Sequence, residues 1–240
     1  NTLHGKVDFV VLGECTGCAI YRGHRGRMEI RVTTRGRSCH ASAPERGENA
    51  VYKMAPVIRE IADLNERLAD DAFLGKGTIA VTHVECDTDS LNCVPYACRV
   101  YLDRRLTIGE DRDLAVRQVA ELPSAIAANA EVEVLRFDDP AWTGKVIETE
   151  KYYPTWALPE SHSLVQSAAR TYEALFNGKP LIDKWTFSTN GISSMGRLGI
   201  PTIGFGPSEE RFAHTSEDRC SIKDLETACA FYAALPLFMK

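Results

Sequence analysis

Two residues far apart in the chain, Glu14 and His214, could together bind a metal ion. Glu14 follows the apolar run at residues 7–12, which predicts a buried strand of the kind found at the centre of an α/β sheet. His214 comes shortly after a second predicted strand, residues 202–205. A carboxylate and an imidazole are a common zinc pair, but two ligands do not hold a catalytic zinc. Taken singly, Glu14 also suits a helix cap or an ion pair, and His214 a solvated loop.

His40 lies in a polar loop in the middle of the chain and could stabilise negative charge. Ser38 and Ser42 flank it. An imidazole on a loop that closes over a substrate can donate a hydrogen bond to a developing oxyanion. The same residues suit an ordinary surface loop in which serines form turns. Composition does not separate these two interpretations.

Two further groups of residues suit substrate binding. Arg104 and Arg105 end a predicted strand that we expect to face the loop containing Asn92, and only one of two adjacent strand residues can face a given site. A guanidinium there could bind a substrate carboxylate, or it could form a surface ion pair with Asp103. The polar turn at residues 188–191 could hold a substrate through backbone N–H groups and hydroxyls, or it could be only a loop.

The cysteines offer a different chemistry. Cys15 and Cys18 form a CxxC pair, and Cys93 and Cys98 form a looser pair, so four thiols could bind a structural zinc, or the first pair could be redox active. Cys98, however, lies in an apolar strand pattern, where a thiol acts as a small hydrophobe. A chain this long with a sizeable core does not need disulfides, and its composition favours a reduced, cytoplasmic protein.

The elements that position these residues indicate one domain interrupted by another. The middle of the chain is predicted to alternate as strand, helix, strand, strand, helix, strand, which is the split βαβ, ferredoxin-like arrangement; the segments are residues 28–34, 49–68, 78–84, 98–106, 111–128 and 131–137. Pro56 predicts a kink or a separate first turn in the first helix, and Pro123 predicts an interruption of the second. Helices at residues 161–176 and 222–235 belong with the outer α/β segments. We therefore assign residues 1–24 and 139–240 to an α/β domain and residues 25–138 to an inserted domain.

Composition excludes several classes of protein. The chain has 240 residues, of which 44% are hydrophobic and 25% charged, so it is not a disordered or fibrous protein. Its net charge of −5 is spread along the chain, which argues against a nucleic-acid partner. The longest apolar run, residues 228–239, is too short to span a membrane, for which about 20 residues are needed. No secretory signal opens the chain.

Several motifs occur in the same order as in a known family. The chain resembles the dinuclear-zinc amidohydrolases and exopeptidases, which include aminoacylase, acetylornithine deacetylase, succinyl-diaminopimelate desuccinylase and glutamate carboxypeptidase. The resemblance covers essentially the whole chain and rests on VLGECT (residues 11–16), GRSCHASAP (36–44), GENA (47–50), NCVP (92–95), DRR (103–105), Gly206 and Ala213-His214. Three further strings are similar to the hydrolases linked to selenium metabolism, namely YRGHRGR (21–27), KWTFSTNG (184–191) and GFGP (204–207).

The resemblance implies a zinc-peptidase α/β domain with an inserted ferredoxin-like lid that also forms a homodimer. It implies that Glu14 and His214 are metal ligands and that His40 reaches a neighbouring subunit's active site and polarises the scissile carbonyl. The implied cofactor is two Zn²⁺ per subunit, with Co²⁺ or Mn²⁺ also suited to such sites. The residues that would contact the substrate, an N-acyl amino acid or a small peptide, are Asn92, Arg105, Ser188, Thr189, Asn190 and Gly191. Asn190 replaces the aspartate common in other members, so the substrate preference stays open.

The family's early histidine ligand, its bridging aspartate and its paired glutamates would all precede residue 7. We therefore expect the chain to be the carboxyl-terminal part of a longer protein, truncated or paired with a separate amino-terminal chain, and inactive by itself. Two alternatives remain. One is a non-catalytic dimerisation or binding module without a functional metal site, and the other is a cysteine-based redox or structural-zinc protein.

Overall fold

The structure, a computed structural model, describes residue 5 and residues 7–239. Its strands in chain order are β1 (Val10–Leu12), β2 (Ile20–His24), β3 (Gly26–Arg35), β4 (Asp70–Asp71), β5 (Gly75–Lys76), β6 (Thr78–Asp87), β7 (Ala97–Leu106), β8 (Glu131–Val134), β9 (Arg136–Phe137), β10 (Thr149–Glu150), β11 (Tyr152–Tyr153), β12 (Trp156–Ala157), β13 (Ile182–Trp185) and β14 (Thr202–Gly204). The α-helices are α1 (Ala50–Arg67), α2 (Arg112–Ala120), α3 (Pro123–Ala127), α4 (Ser163–Phe176) and α5 (Ile222–Phe238). None of these helices is long and apolar enough to cross a membrane.

The described residues form two compact units. One consists of Gly26–Tyr153, and the other of the described residues before Gly26 and after Tyr153. The inserted unit thus ends later than the predicted boundary after Asp138, because β10 pairs with β9 and β11 pairs with β3. The predicted outer domain also includes residues 1–4, 6 and 240, which lie outside the described residues.

The inserted unit is an antiparallel sheet with the strand order β8–β3–β7–β6. In β3 buried and half-buried residues alternate, so Met28, Ile30 and Val32 join one core with α1–α3. The chain order of strands and helices confirms the ferredoxin-like prediction. The second helix is interrupted at Pro123 as predicted, since α3 begins there as a separate short helix.

Helix α1 is continuous, although Pro56 predicted a kink or a separate turn. Asn49 caps its first turn by accepting hydrogen bonds from the Val51 and Tyr52 N–H groups at 2.9 and 3.3 Å. Proline removes one helical donor, which would have bonded the carbonyl group four residues earlier. Tyr52, whose carbonyl group loses this bond, is exposed, and so is Pro56. Water can therefore satisfy the Tyr52 carbonyl group, and the helix continues through Pro56.

The other unit is a mixed sheet with the order β1–β14–β2–β12, in which β13 also pairs with β2. Helices α4 and α5 contribute to its core, which includes Val165, Phe231, Ile203 of β14 and Phe205 directly after β14. Strand β1 pairs in parallel with β14 in the part of the chain that the structure describes, and its residues are half-buried. It is less buried among the described residues than the apolar run predicted, and its central place in a sheet stays a prediction.

Candidate functional site

The loop that carries Glu14 is fixed against the end of β14. The Phe205 N–H donates to the Leu12 carbonyl oxygen at 3.0 Å, which continues the β1–β14 pairing. Gly206 follows, and a Cβ atom at that position would lie 2.1 Å from the Glu14 carbonyl oxygen. The Gly206 N–H also donates to Thr16 Oγ1 at 2.9 Å. Only glycine permits this close approach, so the Glu14 backbone and the end of β14 are held together.

His214 lies on a loop that follows β14, after a 3₁₀ helix at Glu210–Phe212. It has a positive φ of 60° and an exposed side chain, and Glu14 is also exposed. Each of the two predicted ligands therefore follows the carboxyl end of one of two adjacent parallel strands. The carboxyl ends of parallel strands are where α/β sheets place ligands. Their assignment as metal ligands stays a prediction.

The described residues do not by themselves form a metal site. Their His, Cys, Asp and Glu side chains form no group of three or more that could hold an ion. A carboxylate and an imidazole are chemically suitable for zinc, but two ligands leave half of a tetrahedral shell empty. A bound metal would therefore need ligands beyond those described here.

The same finding bears on the cysteine alternative, because no described group of thiols forms a four-cysteine cluster. All eight cysteines are free. Burial, together with the negative charge of Asp224, raises the pKa of the Cys18 thiol to about 11. Burial and the nearby Glu210 and Glu14 also raise the pKa of Cys15. A redox-active CxxC pair needs a stabilised thiolate, so the electrostatics here oppose that chemistry.

The turn at residues 188–191 lies against a buried cluster of rings. Its Thr189 N–H donates to His24 Nε2 at 3.0 Å, and the Gly191 N–H donates to Thr189 Oγ1 at 3.1 Å. A Cβ atom on Gly191 would lie 2.3 Å from the ring of Trp156. Asn190 is exposed, whereas Ser188 Oγ is buried without a partner. The backbone of this turn is thus tightly fixed, while the amide of Asn190 is open to solvent.

His40 is exposed on a loop of the inserted unit, and its Nδ1 accepts a hydrogen bond from the Ser42 N–H at 3.1 Å. Because a backbone N–H can only donate, Nδ1 must be the acceptor, and the neutral ring carries its proton on Nε2. The Ser42 hydroxyl group lies 2.8 Å from the same Nδ1 atom. His40 can therefore present a fixed N–H donor to solvent, which is the form required for stabilising an oxyanion.

The structure brings the loops of His40 and Asn92 together within the inserted unit. His40 forms an isolated β-bridge with Cys93, and the Ala41 N–H donates to the Asn92 carbonyl oxygen at 2.8 Å. The Asn92 side chain is exposed and accepts a hydrogen bond from Ser90. These two predicted site residues are therefore neighbours. Sequence spacing gave no sign of this, since 52 positions separate them.

Arg105 does not face the loop that contains Asn92, so the expectation that it does is wrong. Asn92 precedes the start of β7, whereas Arg105 lies at its far end, about 25 Å away at the rise of an extended strand. Its guanidinium is half-buried and donates to Asp103 at 2.6 Å. Arg104 is fully buried and pairs with Glu110, so it is a core residue. The role of Arg105 in substrate contact stays a prediction.

Residues 22–131 match the profile of the M20 peptidase dimerisation domain. The uncharacterised protein YgeY of Escherichia coli K12 is 49% identical over 97% of this chain and 58% of its own length. Succinyl-diaminopimelate desuccinylase of Corynebacterium glutamicum is 25% identical over 93% of this chain and 55% of its own length. The chain thus spans little more than half of these relatives.

A similar fold occurs in the crystal structure of aminopeptidase PepT from Bacillus cereus. The TM-score is 0.70 at 18% identity, and the match covers 98% of this chain and 57% of that one. The order of elements, the ferredoxin-like insertion and the relatives agree with one another. Residues 22–131 belong to the M20 peptidase dimerisation domain family, and the chain as a whole is similar to relatives that include a succinyl-diaminopimelate desuccinylase.

Proposed function

We propose that the complete protein hydrolyses the amide bond of an N-acyl amino acid or a small peptide with a metal-activated water. Similarity to the M20 peptidase family supports a metal-dependent hydrolase. The desuccinylase relative acts, by its name, on a succinylated amine, which is an amide. This chain spans 55% of that relative, so the proposal concerns a longer protein that contains it.

The observation that carries the proposal is the placement of Glu14 and His214. They follow the ends of two adjacent parallel strands, and the close approach of Gly206 holds the Glu14 backbone at that edge. We assign them as ligands of two Zn²⁺ ions, with Co²⁺ or Mn²⁺ as alternatives, and we assign the remaining ligands to an amino-terminal segment outside this chain. When bound, such a pair of ions lowers the pKa of a bridging water and polarises a carbonyl group.

The residues of this chain bind and orient the substrate. His40 donates its Nε2–H to the carbonyl oxygen as negative charge develops on it, because Ser42 keeps Nδ1 in the acceptor form. Asn92 lies on the neighbouring loop and contacts the substrate together with His40. Arg105, at the far end of β7, would supply a guanidinium for a substrate carboxylate in a different subunit's site from the one that His40 and Asn92 reach. The turn at residues 188–191 supplies polar groups, of which the Asn190 amide is uncharged and would not attract a substrate ammonium group as an aspartate would.

The dimerisation domain supports a homodimer as the assembly. His40 lies in that domain, and we propose that it acts in the active site of the neighbouring subunit. A reducing, cytoplasmic location is part of the same proposal, supported by the eight free cysteines.

A second candidate is a dimerisation or binding module without catalytic activity. The observation in its favour is that the described residues form no group of three metal-binding side chains. Metal content separates the two candidates, since a module without a metal site would bind no stoichiometric zinc in the full-length protein.

The test uses the full-length protein, purified without chelators, with metal counted by mass spectrometry and hydrolysis measured on a panel of N-acyl amino acids and tripeptides. We expect about two metal ions per subunit and hydrolysis of at least one class of substrate, as a two-metal site requires. Glu14→Gln and His214→Asn should each lower both metal content and turnover. Glu173→Gln, which changes an exposed carboxylate on α4, is the matched control. A full-length protein with no bound metal and no hydrolysis would contradict the proposal.

A further inference from the structure

His24 is a fully buried histidine whose two ring nitrogens have fixed and different partners. It is 0% exposed on β2. Nε2 lies 2.8 Å from Trp156 Nε1 and 3.0 Å from the Thr189 backbone nitrogen. Indole and backbone N–H groups can only donate, so Nε2 must be the acceptor of both. The proton of the neutral ring therefore lies on Nδ1, which donates to the Arg25 carbonyl oxygen at 2.8 Å.

This arrangement connects His24 to the turn at residues 188–191 by two routes. The first is the direct hydrogen bond from the Thr189 N–H. The second passes through Trp156, whose indole N–H is held by His24 and whose ring fills the space where a Gly191 side chain would lie. Thr189 and Gly191 are in turn joined by the hydrogen bond from the Gly191 N–H to Thr189 Oγ1. One imidazole nitrogen thus fixes both ends of the three-residue segment that contains Asn190.

We propose that His24 is a positioning residue, whose unprotonated Nε2 holds the Thr189–Gly191 segment in the conformation that binds substrate. The inference rests on the proposed function, which assigns substrate contact to this turn. His24 itself is buried behind the turn and does not touch the substrate. Loss of the acceptor leaves a buried backbone N–H and an indole N–H unsatisfied, and the segment can recover these bonds only by moving.

Protonation of His24 has the same effect as loss of the acceptor, since an imidazolium has no lone pair to accept with. Burial lowers the pKa of His24, and no charged side chain is among the causes of that shift. The charged groups beside it are Arg22 and Arg25 in its own segment and Asp183 and Lys184 on β13. Strand β12 and the turn contain no titratable side chain. The hydrogen bonds to the turn therefore persist at neutral pH and are lost only below the usual histidine range.

The test compares three variants of the full-length protein on the substrate that the wild type hydrolyses. His24→Leu removes the acceptor, and we expect KM to rise about tenfold or more, with a smaller change in kcat, because a buried donor loses its partner. His24→Gln supplies an amide oxygen that accepts at neutral and acid pH. The KM of His24→Gln should therefore be near the wild-type value at neutral pH. It should not increase at acid pH, whereas the KM of the wild type should increase there as His24 is protonated. His162→Asn, which keeps a capping side chain at the start of α4, should match the wild type.

A second measurement does not depend on activity. In a Trp142→Phe background, which removes the 98%-exposed tryptophan, the fluorescence that this chain contributes comes from Trp156 and Trp185, whose rings lie 5.3 and 6.4 Å from that of His24. We expect this fluorescence to titrate with a midpoint below 6.5, the ordinary value for histidine, and to lose that titration in His24→Gln. The emission maximum of the same two tryptophans shows whether His24→Leu still buries them and so still folds.

The outcomes separate this inference from the proposed function. If no substrate is hydrolysed, the proposed function fails, while the titration still tests the protonation state of His24. A titration as expected, combined with a folded His24→Leu whose KM equals that of His162→Asn, would refute the positioning role and leave the hydrolase intact. If His24→Gln raised KM as much as His24→Leu, the acceptor nitrogen would not be the cause, and the inference would also be wrong.

Discussion

The buried pair Arg104–Glu110 gives the sharpest test of the stability of the inserted unit. The side chains of Arg104 and Glu110 are 0% and 2% exposed, and Arg104 Nη2 lies 2.5 Å from Glu110 Oε1. Arg104 also donates to Gln118 at 3.0 Å, and Glu110 Oε2 accepts from the Thr107 N–H at 2.9 Å. Glu110→Ala would leave a guanidinium and a backbone N–H buried without the carboxylate. Removing one partner of such a pair costs about 3–5 kcal/mol.

Replacing both partners should cost less. In Arg104→Met/Glu110→Leu no charge is left buried, and such replacements range from neutral to about 4 kcal/mol stabilising. The Thr107 N–H and the Gln118 amide would still lose a partner, at about 1–3 kcal/mol each. At the midpoints of these ranges the double variant loses about 2 kcal/mol of stability. It should therefore be more stable than Glu110→Ala by about 2 kcal/mol.

Hydrogen exchange of peptides from β7 measures this difference in the intact chain. A loss of about 3–5 kcal/mol corresponds to exchange that is faster by about two to nearly four orders of magnitude. Arg105→Ala is the matched control, because its ion pair with Asp103 is half-exposed and such pairs contribute about 0–1 kcal/mol. If Glu110→Ala left the β7 peptides protected, or if Arg105→Ala exposed them equally, the assignment of Arg104 to the core would be refuted.

Three further predictions concern the site. His40→Ala in the full-length protein should lower kcat by about 10²–10³ with unchanged metal content, as expected for loss of an oxyanion donor; near-normal turnover would rule out that role. Gly206→Ala should lower the thermal midpoint of unfolding and weaken metal binding by the full-length protein, because the new Cβ would lie 2.1 Å from the Glu14 carbonyl oxygen. Gly178→Ala, with its nearest atom at 3.9 Å, should do neither, and equal effects of the two would contradict the steric argument. The Cys18 thiol, with a pKa of about 11 instead of 9.0, should be alkylated at pH 8 about 100-fold more slowly than an ordinary thiol, and comparable rates in a mass-spectrometric time course would disprove the burial argument.

The inserted unit could be predicted because its elements are long and amphipathic. Ten-residue strands such as β3 and β7 alternate buried and half-buried positions over most of their length, and α1 carries both a buried stripe and an Asn49 cap. These signals are local, so a single sequence contains them. The continuity of α1 through Pro56 was not predictable, because it depends on which face of the helix is exposed.

The outer unit was harder to predict because short strands define it. Strands β12 and β13 have two and four residues, and each exists through its pairing with β2. The sequence of β2 itself, IYRGH, contains glycine, arginine and histidine, and no strand was predicted there. Its neighbours in the sheet override that composition, and His24 is buried as a result. Histidine is a weak signal of burial in a sequence, so the residue central to the further inference was missed as a site residue.

The candidate site was predictable where topology alone decides it. Glu14 and His214 were expected after strand ends, and the strands that they follow, β1 and β14, pair in parallel, so those two strand ends lie at the same edge. The convergence of the two side chains stays a prediction. Strand alternation predicted that Arg104 and Arg105 point to opposite faces of the sheet. Which of the two is buried depends on Glu110, which follows β7 and pairs with Arg104. The position of Arg105 at the far end of β7 from Asn92 required the sheet register.

Two histidines show why the chemistry of a side chain requires the structure. At His40 a backbone N–H from Ser42 donates to Nδ1, so the proton lies on Nε2 and the exposed ring is a donor. At His24 the donors from Thr189 and Trp156 reach Nε2, so the proton lies on Nδ1 and the buried ring is an acceptor toward the turn. The partner of one nitrogen fixes the proton on the other. The same residue type is therefore suited to stabilising charge on a substrate in one place and to holding backbone in another.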